Sequence, residues 1–123
     1  RAKISLVAFV IGGITILIRL YHNPRCSKSR SAHKILIDKA VDFEDYRYLE
    51  NGIHPDDLDI LSGLNGIIRI NDLENNQNID SSDFAQVKIV LSNNPNVLQR
   101  PVLVVGREAV ICRPPEKILT LLP

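Results

Sequence analysis

The sequence is poor in cysteine, with only Cys26 and Cys112 in 123 residues. So few thiols cannot staple a small secreted scaffold, and they fit a reducing, cytoplasmic setting in which thiols stay free. An excess of one charge is missing too: 15 Lys and Arg stand against 14 Asp and Glu, for a formal net charge of +1. No global basic field recommends nucleic acid as a partner, so any anion site has to be local. Nor is there a hydrophobic run of spanning length. The apolar stretch 4–18 is 15 residues long and carries Ser5, Gly12, Gly13 and Thr15, short of the ~18 to 20 residues a spanning helix requires. It lacks an A-x-A cleavage pattern, and cleavage there would remove a core element. No membrane partner is expected unless residues 1–18 act as an anchor. The chain divides into an apolar N-terminal extension over 1–13, of open role, and one domain over 14–123, long enough to form a core without staples.

What is present alternates between strand and helix signals. Residues 14–21 are β-branched and aliphatic and read as a buried strand, ended by the turn His22-Asn23-Pro24. From Ser27 to Ala40, Ala32, Ile35, Leu36 and Ala40 recur at helical spacing. A second strand is expected within 41–49, parallel to the first through a right-handed crossover. The middle section is helical. One short helix follows His54-Pro55-Asp56-Asp57, an Asn-rich loop covers 71–80, and another helix is capped by Ser81 or Ser82 and stops at Asn93-Asn94-Pro95. Two strands around Gly106-Arg107 form a hairpin, and Pro114-Pro115-Glu116 opens a last helix. The sum is an α/β chain of the thioredoxin-like, glutaredoxin-like class, a four-stranded mixed sheet with a helical insertion.

Chemistry concentrates at Cys26. It stands where a strand gives way to a helix, so unpaired backbone N–H groups and the helix dipole favour a thiolate and a bound oxyanion beside it. Arg25, Lys28 and Arg30 add positive charge, and His22 shares the loop. Cys26-Ser27-Lys28-Ser29 lacks a second cysteine, so local dithiol exchange is excluded and a resolving thiol has to come from elsewhere. Cys112, in an apolar strand-like stretch, reads as a packed hydrophobe. His22, Cys26, His33, His54 and Cys112 show none of the paired short spacings of tetrahedral zinc sites, so no metal ligand set is expected. Arg100 and Arg113 each precede a proline at a turn, positions from which arginines bind oxyanions or simply face solvent.

Four segments in this order form a recognisable pattern: Tyr21-His22-Asn23-Pro24-Arg25-Cys26-Ser27-Lys28-Ser29-Arg30, Tyr48-Leu49-Glu50, Gln99-Arg100-Pro101-Val102 and Cys112-Arg113-Pro114-Pro115-Glu116. Over about residues 14–123 the chain resembles the ArsC-type arsenate reductases linked to glutathione and glutaredoxin. The resemblance implies a Cys26 thiolate that attacks the arsenic of arsenate, an adduct resolved by glutathione as co-substrate with glutaredoxin as partner, and no bound cofactor. It implies further that His22 tunes the Cys26 loop, that Ser29 hydrogen-bonds near the thiolate, and that Arg69, Arg100 and Arg113 hold the oxyanion. Pro101 would be the cis-proline opposite the thiol.

Two other classes share such a fold. Spx-type transcription regulators usually carry C-x-x-C near the N-terminus and lack the Arg-Pro-Pro-Glu found here at 113–116. A monothiol glutaredoxin-like protein acting on glutathionylated partners has less use for the arginines.

Overall fold

The computed structural model of the chain describes residues 8–11, 14–74 and 78–122. It divides into two compact units, one built from the N-terminal segment to Arg47 together with Arg100 onward, the other from Tyr48–Gln99.

The first unit is the sheet unit. Its centre is β2 (Ile14–Tyr21), whose buried Ile18 and Leu20 alternate with Arg19 along the strand. Strand β3 (Glu44–Tyr46) pairs with β2 in parallel, Arg19 opposite Glu44 and Tyr21 opposite Tyr46. On its other neighbour, β4 (Val102–Val105), β2 runs antiparallel, and β4 in turn pairs antiparallel with β5 (Glu108–Ile111). The mixed four-stranded sheet expected from the sequence is therefore present in the order β3-β2-β4-β5, the thioredoxin-like arrangement. Within the expected 1–13 extension, β1 (Ala8–Ile11) is a further strand, paired antiparallel with the first half of β2 from Ala8 opposite Leu17 to Ile11 opposite Ile14. The rest of that extension, 1–7 and 12–13, lies outside the described residues. No helix among the described residues is long and apolar enough to cross a membrane.

Helix α1 (Ser27–Asp38) is the crossover between β2 and β3. Its buried Ala32 and Leu36 meet Ile18, Leu20, Leu103, Cys112 and Ile118 in one core. Each fully buried Leu or Ile there contributes about 1.5 to 3 kcal/mol over an exposed one. The helix stops two residues before the Ala40 limit expected from its periodicity, in a C-terminal wrap: the N–H of Ala40 donates to Ile37 O at 3.0 Å and that of Val41 to Leu36 O at 3.1 Å, with Ala40 at φ +56°. That left-handed residue, normally glycine, ends the helix.

The β4–β5 turn has Gly106 at φ +63°, as its two-residue hairpin requires. The last helix expected after Pro114-Pro115-Glu116 is a 3-10 helix over Pro115–Thr120, and it packs on α1 and β5.

The second unit holds α2 (Tyr48–Asn51), α3 (Leu58–Ser62) and α4 (Phe84–Asn93). The expected strand over 41–49 thus yields to a helix at Tyr48. Helices α3 and α4 pack together and are joined by Lys88 Nζ to Asp59 Oδ1 at 2.8 Å. The cap of α4 is Asp83, not Ser81 or Ser82: its carboxylate accepts from the N–H groups of Ala85 at 3.0 Å and Gln86 at 3.4 Å. Two backbone bonds, Arg69 N–H to Val97 O and Gln99 N–H to Ile67 O, both 2.7 Å, clip its two long connections side by side.

Candidate active site

The loop between β2 and α1 is held by its own polar groups. The N–H of His22 donates to Tyr46 O at 3.0 Å, extending the β2–β3 pairing by one residue past the strand end. Asn23, nearly buried, turns the chain twice: its Oδ1 accepts from Arg25 N–H and its carbonyl from Cys26 N–H, both at 3.0 Å. An Asn that accepts two residues on is a standard way to start such a turn. Cys26 is then the N-cap of α1, with extended backbone (φ −97°, ψ 124°), and its carbonyl accepts the first helical bond, from Arg30 N–H at 3.0 Å.

A cysteine at an N-cap faces donors that no helical carbonyl satisfies. Burial raises the Cys26 thiol, but the backbone N–H groups of Ser29 and Lys28, together with a hydrogen bond and the charge of the Arg100 guanidinium, outweigh it. The net shift is downward. Cys26 is half-buried, so a small reactant reaches it. Cys112 is the opposite case: fully buried, it is pushed up to about 12 by desolvation. The two thiols differ in the property that decides nucleophilicity, the thiolate fraction at neutral pH.

Ser29 sits at the hub. Its hydroxyl, fully buried, accepts from Asn23 N–H at 2.9 Å and lies 2.7 Å from His22 Nδ1. His22, 4% exposed, is lowered to about 4, first by burial and further by the charges of His33, Arg47 and Arg30, against an opposing pull from Asp45. It is therefore neutral at pH 7. Its ring stacks on His33 with centroids 4.7 Å apart, and His33 meets the Phe43 ring edge-on at 5.4 Å.

The peptide bonds before Pro101 and Pro114 are both cis. Arg100 and Arg113, just ahead of them, are linked: Arg113 Nη1 donates to the carbonyl of Arg100 at 2.7 Å. The next backbone bond, Cys112 N–H to Pro101 O at 2.8 Å, holds the same two segments together. Cys26, His22, Ser29, Arg100, Arg113 and Pro101 all belong to the sheet unit. Arg69 belongs to the other one, where its Nη1 lies 3.4 Å from Asp72 Oδ2.

Sequence reasoning placed the turn at His22-Asn23-Pro24 without the two hydrogen bonds by which Asn23 makes it, and missed the His33 stack and the second cis-proline. The Asn-Pro pair was a visible turn signal. The ring stack was not visible, because it joins a loop to the second turn of a helix.

An anion-ready cysteine at a helix N-cap, a cis-proline strand entry carrying an arginine, and a thioredoxin-like sheet form the setting for comparison with known proteins. The ArsC family model matches residues 21–121. The chain belongs to the ArsC family. It is 32% identical over 120 residues to the Escherichia coli protein YfgD, described as uncharacterized, covering 88% of this chain and 98% of that one. An arsenate reductase of Neisseria meningitidis is 31% identical over 117 residues, covering 85% and 97%. Among solved structures, an arsenate reductase from Vibrio cholerae superposes with a TM-score of 0.68 at 26% identity, covering 87% of this chain and 98% of the other. A putative arsenate reductase from Yersinia pestis gives 0.67, again at 26% identity. Membership in the ArsC family covers the segments that carry Cys26, Arg100 and Arg113.

Proposed function

We propose that this ArsC-family protein reduces arsenate to arsenite through Cys26, with glutathione and glutaredoxin supplying the electrons. The observation that carries the reading is the pairing of a lowered Cys26 thiol with the Arg100 guanidinium against it. A tetrahedral oxyanion approaching that thiolate meets a planar cation and unsatisfied helix N–H groups at the same point.

In the proposed sequence the Cys26 thiolate attacks arsenic, forming an S–As bond while one arsenate oxygen leaves as water. Glutathione adds its thiol to that adduct. An S–S bond forms between the glutathione and Cys26 sulphurs as the S–As bond breaks with its electron pair going to arsenic, arsenite departs, and the Cys26–glutathione disulfide left on the chain is reduced by glutaredoxin with further glutathione. The sum is arsenate plus two thiols giving arsenite, one disulfide and water. Arg100 and Arg113 compensate the oxyanion charge, which suits guanidinium better than ammonium. Neutral His22 and Ser29 act as positioning residues that hold the Cys26 loop, Ser29 through its bond to Asn23 N–H. No step calls for a metal or an organic cofactor bound to the chain.

A coupled assay with arsenate, glutathione, glutaredoxin, glutathione reductase and NADPH tests this. NADPH consumption that depends on arsenate and vanishes in Cys26→Ser is expected. Consumption that persists in Cys26→Ser, or that never depends on arsenate, overturns it.

A further inference from the structure

One cluster joins His22 of the Cys26 loop to two residues, His33 and Asp45, that have no part in the sulphur chemistry. His22, His33 and Asp45 each offer one donor atom, and the three atoms lie within 4.8 Å of one another. They come from three stretches of the sheet unit: the loop after β2, the second turn of α1, and the middle of β3. The short-spacing criterion applied to the sequence could not find such a set, because the donors are 11 and 12 residues apart and Asp45 was not among the groups weighed.

We propose that His22, His33 and Asp45 form a binding site for a borderline divalent transition-metal ion of the Zn²⁺ class. This goes beyond the arsenate reading and does not depend on it.

The backbones that present the donors are fixed. His22 N–H is bonded to Tyr46 O at 3.0 Å, which ties the first ligand to the residue next to the third. His33 is anchored on α1 between the His22 ring and the edge of Phe43. The two imidazoles are stacked with centroids 4.7 Å apart, and one nitrogen of each lies within 4.8 Å of the other and of an Asp45 oxygen. His22 Nδ1 lies 2.7 Å from the Ser29 hydroxyl, and with the proton on Nδ1 donating to that oxygen Nε2 is the nitrogen offered to an ion. This is the outer-shell bond that metal-ligating histidines ordinarily make, fixing tautomer and ring plane.

The remaining adjustments are small. Donors around a tetrahedral Zn²⁺ stand about 3.3 Å apart, given bonds of roughly 2.0 to 2.1 Å. His33 Nε2 is already 3.6 Å from Asp45 Oδ2, too far for a hydrogen bond to hold the pair and close enough for one ion to bridge it. The site has competition from charge: Arg47 reaches Asp45 Oδ1 at 3.0 Å and Oδ2 at 2.9 Å, and Arg30 adds a second cation near His22. The Arg47 pair is bidentate but exposed to solvent screening, and an ion on Oδ2 leaves Oδ1 to the guanidinium. Two imidazoles and one carboxylate select Zn²⁺, Cu²⁺ or Ni²⁺ over Mg²⁺ or Ca²⁺. Three protein ligands leave the fourth position open to water.

The test is calorimetric titration of Zn²⁺ into the untagged Cys26→Ser chain, in which the accessible thiol no longer competes for metal. One equivalent of saturable binding is expected, with Mg²⁺ giving none. In the same background, His33→Phe keeps an aromatic ring between His22 and Phe43 but removes the nitrogen, and Asp45→Asn removes the anionic oxygen. Each should weaken Zn²⁺ at least ~10-fold, the scale on which even outer-shell changes act. Thermal melting confirms that the variants are folded. Absence of saturable binding overturns the proposal. So does Zn²⁺ affinity that is the same in His33→Phe and Asp45→Asn as in the parent.

Discussion

Arg113 reaches across to Arg100 and donates from Nη1 to its backbone carbonyl at 2.7 Å. One guanidinium thus helps to place the residue whose own guanidinium meets the Cys26 sulphur. Arginine can do this and still bind an anion, because its planar fork carries five N–H donors.

The first prediction follows from that fork. Lys at position 100 or 113 keeps the charge and loses the paired planar donors, so arsenate efficiency should fall roughly 10- to 100-fold, corresponding to about 1.5 to 3 kcal/mol for a charge-assisted hydrogen bond. kcat/KM with arsenate is the measurement, with iodoacetamide alkylation showing that Cys26 still reacts. Full activity in both variants would reduce the two residues to surface charges.

A second prediction concerns the two thiols. The Cys26 alkylation rate should reach half its maximum at a pH below the ordinary thiol range of about 8.5, because the helix-end N–H groups and Arg100 favour the thiolate. Replacing Arg100 by Gln should move that midpoint upward. Cys112, fully buried and raised to about 12, should resist alkylation in the native chain, and Cys112→Ser should keep most of the activity. A Cys26–Cys112 disulfide trapped during turnover would contradict the external-thiol scheme.

Third, stability should depend on pH through His22. Its folded pKa, about 4, lies below the ordinary 6.5, so the unfolded chain binds the extra proton first as pH falls. The stability due to the neutral buried ring is complete above about pH 6.5 and is lost as pH drops through about 4, with a ceiling of about 3 kcal/mol. Urea unfolding at pH 4.5 and 7, compared between the parent and His22→Phe, isolates this part. Equal pH slopes in the two proteins would show that another group is responsible.

The last prediction uses the end of α1. Ala40 holds the left-handed position at φ +56°, which costs an L-residue of this kind about 1 kcal/mol relative to glycine. Ala40→Gly should raise the unfolding midpoint accordingly, with unchanged Cys26 alkylation. A lower midpoint would mean that the alanine methyl is worth more to the surrounding packing than the relief of its backbone.

The βαβ start, the Gly106 hairpin and the cysteine at the helix entry were readable because each is written locally, in a periodicity or a turn residue. What escaped was decided by competition or by distance. Ser81 and Ser82 offered hydroxyls at the start of α4, but Asp83 is the residue whose oxygens reach the first free N–H groups. Tyr46 ends β3 and Tyr48 opens α2, although all the aromatics from 43 to 48 look alike as strand formers. The apolar run before β2 contains a reversal that its composition hides: Ala8–Ile11 pairs back on Ile14–Leu17. At the site, Cys26 was legible and its neighbours only partly so. His33 and Asp45 carry no local mark of lying beside His22, since only the parallel pairing of β2 with β3 and the return of α1 bring them there.

The contrast between an accessible Cys26 and a sealed Cys112 leaves this stretch of chain without an internal disulfide to rest in. A protein with two reachable sulphurs can close an internal bridge and wait. In this one a sulphenic acid formed at Cys26 by an oxidant finds no thiol of the same chain to condense with, so its capture as a disulfide is a bimolecular event whose rate rises with the concentration of a foreign thiol. Deprived of small thiols and exposed to an oxidant, Cys26 is left with over-oxidation or with the Cys26 of a second molecule, and a linked pair on a non-reducing gel is the form in which that starvation would become visible.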